Sequence, residues 1–248
     1  MRDLAVCILA AGKGKRMGDP ERAKVLTLLD ERPLLGYVLE CANALTPRTI
    51  VVIVGHQRDA VRDYVHSVTP SAAIAIQDEQ LGTGHAVMQT KSVLGNLDAD
   101  VIILSGDVPL LTTATLLALL AQHTTTQAAL TILTTVVADP SGYGRILRDG
   151  KGAVVGIIEH KDANEEQLTI NEINSGIYVV RTEVLFDALD LVKRSNAQGE
   201  FYLTDIAEIL LDKGLTVSAF ATTNANEVHG INTPTDMIRA FNILHQRV

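Results

Sequence analysis

Residues 4–9 form an unbroken apolar run of strand length that stops abruptly at Ala10-Ala11-Gly12-Lys13-Gly14. A strand that is apolar on both sides needs cover on both sides, which places it inside a parallel sheet rather than on the half-wetted face of an antiparallel one. The pattern recurs along the first half. Residues 49–54, 72–76 and 101–104 are strand-like, and helical stretches follow them over about 57–66, 83–94 and 112–122. Strands alternating with helices predict right-handed crossovers, and so an α/β fold with a doubly wound, mostly parallel Rossmann-like sheet.

After about residue 128 the pattern changes. Residues 129–137, 144–148, 153–158 and 172–180 are strand-like, and only short Gly/Asp-rich turns separate the middle two, so antiparallel meander pairing is expected. Helices over 182–191 and 203–211, a strand over 216–221 and a last helix from Pro234, capped by Thr233, complete the chain. No linker, low-complexity tract or fixed-period repeat interrupts it. The expected organisation is one domain over 1–248: a nucleotide-binding half to about 127, a β-rich half over about 128–232, and a C-terminal helix over 233–248.

Charge narrows the functions. A net charge of −8 argues against nucleic acid as the main partner, since such binders need a basic face. Yet Lys13, Lys15, Arg16, Arg22 and Lys24 are opposed locally only by Asp19 and Glu21. That concentration suits a small polyanion; a solvated loop is the alternative. With 47% hydrophobic residues the chain is no disordered tail, and no apolar run approaches the roughly 20 residues that cross a bilayer. Met1-Arg2-Asp3 does not resemble the start of a signal peptide, and two cysteines, Cys7 and Cys41, make no metal cluster. A soluble, cytoplasmic protein with no membrane partner is expected.

Three strand-end segments carry candidate chemistry. The turn around Leu9, Ala10, Ala11 and Gly12 is small enough for backbone N–H groups to approach a phosphate, although it matches neither the Walker A loop nor the dinucleotide fingerprint. Ser105-Gly106-Asp107 follows another apolar strand, which puts a hard oxygen ligand where the crevice of an open α/β sheet lies. A turn or cap role for Asp107 is the alternative. Gln77, with Gly82 and Thr83 close behind, offers a planar donor and acceptor of the kind a base edge requires, or Thr83 simply caps the next helix. Asn174 lies in an apolar strand and needs a ligand or a backbone partner. Neither a zinc-binding HExxH nor a Gly-x-Ser-x-Gly elbow is present.

The run 9–17, with Lys24-Val25-Leu26 downstream, resembles the signature loop of the sugar-nucleotide pyrophosphorylases. Four later segments sharpen the resemblance: Gln80-Leu81-Gly82-Thr83-Gly84-His85-Ala86, Ser141-Gly142-Tyr143-Gly144-Arg145-Ile146, Glu159-His160-Lys161-Asp162-Ala163, and residues 196–206. Together they are similar to the uridyltransferase domain of the bacterial N-acetylglucosamine-1-phosphate uridyltransferases, over essentially the whole chain.

That resemblance implies the nucleotidyltransferase fold, with a sugar-binding second half. The reaction it implies is attack of a sugar 1-phosphate on the α-phosphorus of UTP, giving UDP-N-acetylglucosamine and pyrophosphate. By the same resemblance, Leu9, Ala10, Ala11 and Gly12 hold the nucleotide, with Ser105 and Gly106 beside it, and Arg16 and Lys24 supply positive charge. Gln77, Gly82 and Thr83 read uracil, Asp107 and Asn232 hold Mg²⁺, and Gly144, Glu159 and Asn174 contact the sugar. Arg16, Lys24 and Asp107 are the expected catalytic residues. The family usually has Pro where Ala23 stands and Tyr where Ser105 stands, so the lysine loop and the wall beside the nucleotide differ here. The bifunctional members continue into a hexapeptide-repeat β-helix that transfers acetyl groups and forms a trimer. Neither acetyl transfer nor that trimer is expected, and a monomer or dimer is. The rival readings are another sugar 1-phosphate or NTP, and a non-catalytic sugar-nucleotide sensor.

Overall fold

The computed structural model describes residues 2–14, 17 and 22–246. In chain order, β1 (Asp3–Ala10) is followed by a small hairpin of β2 (Leu28–Leu29) and β3 (Arg32–Pro33), then α1 (Leu34–Ala44), β4 (Thr49–Val54), α2 (Arg58–Val68) and β5 (Ala73–Ile76). Next come α3 (Thr83–Met88), α4 (Lys91–Leu94), β6 (Ala99–Ser105) and α5 (Thr113–Thr126). The second half holds β7 (Leu130–Val136), β8 (Arg145–Arg148), β9 (Val154–Ile158), α6 (Glu165–Leu168), β10 (Glu172–Arg181), α7 (Thr182–Leu189), α8 (Asp205–Asp212), β11 (Val217–Ala221) and α9 (Pro234–Gln246).

The main sheet runs β11-β7-β10-β6-β1-β4-β5. It is the mixed α/β, mostly parallel sheet that the alternating pattern predicts. β6, β1, β4 and β5 are mutually parallel, β7 and β11 are parallel to each other, and β10 lies antiparallel between β6 and β7.

Successive side chains of a strand point to opposite faces, and the apolar run of β1 divides accordingly. Ala5 and Cys7 pack with Val87 of α3, Leu185 of α7 and Ile206 of α8; Val6 and Ile8 pack with Leu39 of α1, Val61 of α2 and Leu116 of α5. Each fully buried Val, Leu or Ile contributes roughly 1.5–3 kcal/mol. The two-faced core is therefore what selects this strand for the centre. Burial also pushes the Cys7 thiol up to about 12, so it stays an inert hydrophobe.

Register decides where the loops emerge. Ala10 pairs with Val54, Val54 with Ile76, and Leu9 with Ser105, so four parallel strands finish level and their following loops share one edge. Ligands of open α/β sheets bind outside such an edge.

The structure departs from the sequence pattern in three places. α1 carries no side-chain cap and contains Gly36, so it lacks a start signal and is held by burial of Leu34, Leu35, Val38 and Leu39. The helix expected over 83–94 is two, α3 and α4, with Thr90 between them donating its hydroxyl to the Val87 carbonyl at 2.7 Å. The expected meander pairs antiparallel, but not in sequence: β8 and β9 form a hairpin, while β7 and β10 pair with each other inside the main sheet.

Candidate active site

The turn after β1 and the loops after β5 and β6 enclose a cavity of about 270 Å³. Its lining brings together Leu9, Ala10, Ala11 and Gly12 from the first turn, Gln77, Gly82 and Thr83 from the second loop, and Ser105 and Asp107 from the third, with Lys24. Gly106 lies behind this lining and donates its N–H to the Leu9 carbonyl at 2.9 Å. Arg16 falls outside the described residues.

Gln77 is only 3% exposed, and its amide is oriented by the protein. Its Nε2 donates to the Gly82 carbonyl at 3.0 Å and lies 3.2 Å from His85 Nδ1; because a carbonyl only accepts, the nitrogen is the amide atom on the Gly82 side. Gly82 itself adopts φ +113°, and a Cβ on it would meet the Phe201 carbonyl oxygen at 2.5 Å. The glycine is thus needed both for its backbone angle and for the close approach of residues 199–203. Thr83 does not cap α3; its hydroxyl oxygen accepts the Leu203 N–H at 3.1 Å.

In this lining the Lys24 ammonium forms an ion pair with Asp107 and donates to Asn232 Oδ1 at 3.1 Å. The two side chains of the ion pair are 14% and 18% exposed. Asp107 is thus a partner of a cation and not a cap, and its own carbonyl accepts the Ile231 N–H at 2.9 Å, which draws the Asn232 segment against β6. A carboxylate and an amide oxygen converging on one positive group form a hard-oxygen pair. Among the described residues no group of three or more His, Cys, Asp or Glu side chains is placed to hold a metal, so a divalent ion here would need substrate oxygens to complete its shell.

The other three expected residues meet one another beside the β8–β9 hairpin. The Gly144 carbonyl accepts the Asn174 N–H at 2.9 Å, and a Cβ on Gly144 would lie 3.5 Å from Glu159 Oε1. Asn174 is 7% exposed and is satisfied internally: Nδ2 donates to the Tyr178 hydroxyl at 2.7 Å and Oδ1 accepts the Gly176 N–H at 3.1 Å. Glu159 lines a neighbouring cavity of about 310 Å³ with Gly142, His160, Lys161 and Gln198. Lys161 donates to Gln198 at 2.8 Å. Burial pushes the Glu159 carboxyl up and Asp162 adds to this, against a hydrogen bond with Thr204 that pulls it down.

A further polar chain lies between the two clusters. The Tyr143 hydroxyl meets His229 Nδ1 at 2.9 Å, His229 Nε2 meets Asp236 Oδ1 at 3.0 Å, and Asp236 Oδ2 accepts the N–H groups of Asn232 and Thr233 at 3.0 and 2.8 Å. Burial would raise the Asp236 carboxyl, but the hydrogen bonds from His229 and the two backbone groups hold it below the usual carboxylate range. Tyr143 falls within a segment that the resemblance singles out, but without a role, and neither His229 nor Asp236 is given one. Gln80 and Glu200, which also line the first cavity, fall within segments that the resemblance singles out without a role.

Residues 5–227 match the nucleotidyl transferase family. The chain belongs to that family. Among its relatives, the bifunctional protein GlmU of Streptomyces coelicolor is 45% identical over 100% of this chain and 52% of its own length. That of Latilactobacillus sakei is 43% identical over 97% of this chain and 51% of its own. The chain therefore spans about half the length of these relatives. A solved structure described as UDP-glucose pyrophosphorylase complexed with UDP-glucose superposes with a TM-score of 0.80 over 100% of both chains at 17% identity, a likeness of fold. Within this nucleotidyl transferase no described helix is long and apolar enough to cross a membrane.

Proposed function

We propose that the chain transfers the uridylyl group of UTP to N-acetylglucosamine 1-phosphate, releasing pyrophosphate. The observation that carries the reading is Lys24 bridging Asp107 and Asn232 in a cavity lined also by a small-residue turn and a buried, hydrogen-bonded Gln77. The GlmU relatives support the choice of substrates.

The sugar phosphate is already an anion, so it needs no protein nucleophile. Its oxygen forms a bond to the α-phosphorus as the bond from that phosphorus to the bridging oxygen breaks, and pyrophosphate departs with the electron pair. What the protein must supply is alignment and relief of repulsion between two anions. The backbone around Ala11 and Gly12 approaches the phosphates, and Lys24 neutralises charge at the reacting end. Asp107 and Asn232 would hold Mg²⁺, which when bound offsets phosphate charge. The Gln77 amide nitrogen is engaged by the Gly82 carbonyl, which leaves its oxygen as the acceptor for a base that carries an N–H. Uracil has that N–H on its pairing edge; cytosine presents a bare nitrogen there.

The test is pyrophosphate release with UTP, CTP, dTTP or GTP against N-acetylglucosamine 1-phosphate, glucose 1-phosphate or galactose 1-phosphate, with and without Mg²⁺. Turnover that is fastest with UTP and N-acetylglucosamine 1-phosphate and needs the metal is expected. Equal rates with CTP and UTP would sink the base assignment.

A further inference from the structure

The Tyr143–His229–Asp236 chain adds a side-chain link between two parts of the site whose strands, β10 and β6, are already paired in the sheet. At one end, Tyr143 precedes Gly144, whose carbonyl is fixed on Asn174 and whose Cα lies beside Glu159. The Tyr143 carbonyl also accepts from the Arg145 guanidinium, which is 1% exposed. At the other end, Asp236 grips the backbone of Asn232 and Thr233, and Asn232 Oδ1 takes the Lys24 ammonium. Asp236 accepts from two backbone donors, so the third bond is donated to it by His229 Nε2–H. In the tautomer with its one proton on Nε2, the imidazole has a lone pair on Nδ1 and the Tyr143 hydroxyl donates to it; we assign the chain this direction, and the spectrum described below tests it.

We propose that Tyr143, His229 and Asp236 are positioning residues: a relay that holds the Gly144–Glu159 side of the site in register with the Lys24–Asp107–Asn232 side. The inference rests on the uridylyl-transfer reading, since it assigns the sugar 1-phosphate to the first side and the reacting phosphates to the second. In-line displacement is sensitive to such register, because a small misplacement of the attacking oxygen costs rate without abolishing either binding site. The relay touches no reacting atom, so its loss should weaken use of the sugar phosphate while nucleotide binding stays intact.

The experiment uses the whole chain with UTP, N-acetylglucosamine 1-phosphate and Mg²⁺. Tyr143→Phe and His229→Ala should each raise KM for the sugar phosphate and lower kcat, about tenfold together in kcat/KM, with KM for UTP unchanged. His229→Gln, which offers one acceptor and one donor, should restore most of the loss. The double variant should be no worse than either single one, because both break the same link. Additive losses, an equal rise in KM for UTP, or no rescue by Gln would overturn the proposal. A second measurement is independent of turnover: in the ¹⁵N spectrum, the His229 signals, identified by their loss in His229→Gln, should be those of the Nε2–H tautomer, and an Nδ1–H tautomer would overturn the bond directions. Absence of turnover in the unmodified protein would instead sink the uridylyl-transfer reading, and the register role with it, while the spectrum still decides the relay's geometry.

Discussion

Lys24, Asp107 and Asn232 come from sites 83 and 208 residues apart along the chain, yet one ammonium touches both oxygens. Removing one member leaves another partly buried charge without its partner, so the informative substitution keeps shape and changes charge. Asp107→Asn retains a hydrogen-bonding side chain of the same size while deleting the negative charge. We expect kcat to fall by about 10²-fold or more, with the circular dichroism spectrum unchanged, in the pyrophosphate-release assay; full activity would remove Asp107 from the reaction. Asp107 was legible in the sequence because it closes an apolar strand and Lys24 because it belongs to a local positive cluster, whereas Asn232 was reached only through the family resemblance. Their meeting was not legible, since no local pattern encodes which loops of a sheet finish level. The Tyr143–His229–Asp236 chain was hidden for the same reason: a tyrosine in one loop and a histidine 86 positions later give no periodic signal.

Elements show a similar division between local and long-range information. β1, β4 and β6 announce themselves through continuous apolar runs, because a strand covered on both faces has no polar side to dilute the pattern. α1 has no such mark. Its first residues follow Pro33 without a side-chain cap, and only its buried stripe against β1 and β4 keeps it helical. The loop from β5 to α3 is fixed by contact rather than propensity: Gly82 lies against the Phe201 carbonyl, the Gly84 N–H donates to that same carbonyl at 2.8 Å, and Thr83 takes the Leu203 N–H. Gly82→Ala therefore combines an unfavourable backbone angle with a backbone clash. Urea unfolding should show a loss of about 2 kcal/mol or more, together with a raised KM for UTP, and a variant as stable as the parent would mean that residues 199–203 do not grip this loop.

At the scale of the whole molecule, the acids gathered behind Glu159 make stability depend on pH. Burial raises the Asp205 carboxyl, and Glu208, Glu159 and Asp162 add to it, carrying it from an ordinary 3.8 to about 6. Between those two values folded Asp205 keeps a proton that the unfolded chain has already released, so this group makes the fold less stable as pH rises through the window, and the deficit is complete above it. Asp205→Asn removes the ionisation. Relative to the parent it should gain about 1 kcal/mol between pH 4 and pH 7.5, allowing for solvent screening of a half-exposed group, measured by urea unfolding at both pH values. An identical pH slope in the two proteins would contradict the assignment.

The antiparallel insertion of β10 has a consequence for how the molecule is made. During translation β6 is complete by residue 105, and β7 by residue 136, but the strand that covers the facing edges of both spans Glu172–Arg181. For some seventy codons after β6 emerges, the nascent chain therefore carries an unpaired, apolar edge of the kind that other chains can adopt as a template. Chaperone capture and misassembly should concentrate in that interval, and synonymous changes that slow the ribosome just before residue 172 should lower the yield of native protein more than the same changes placed after residue 181.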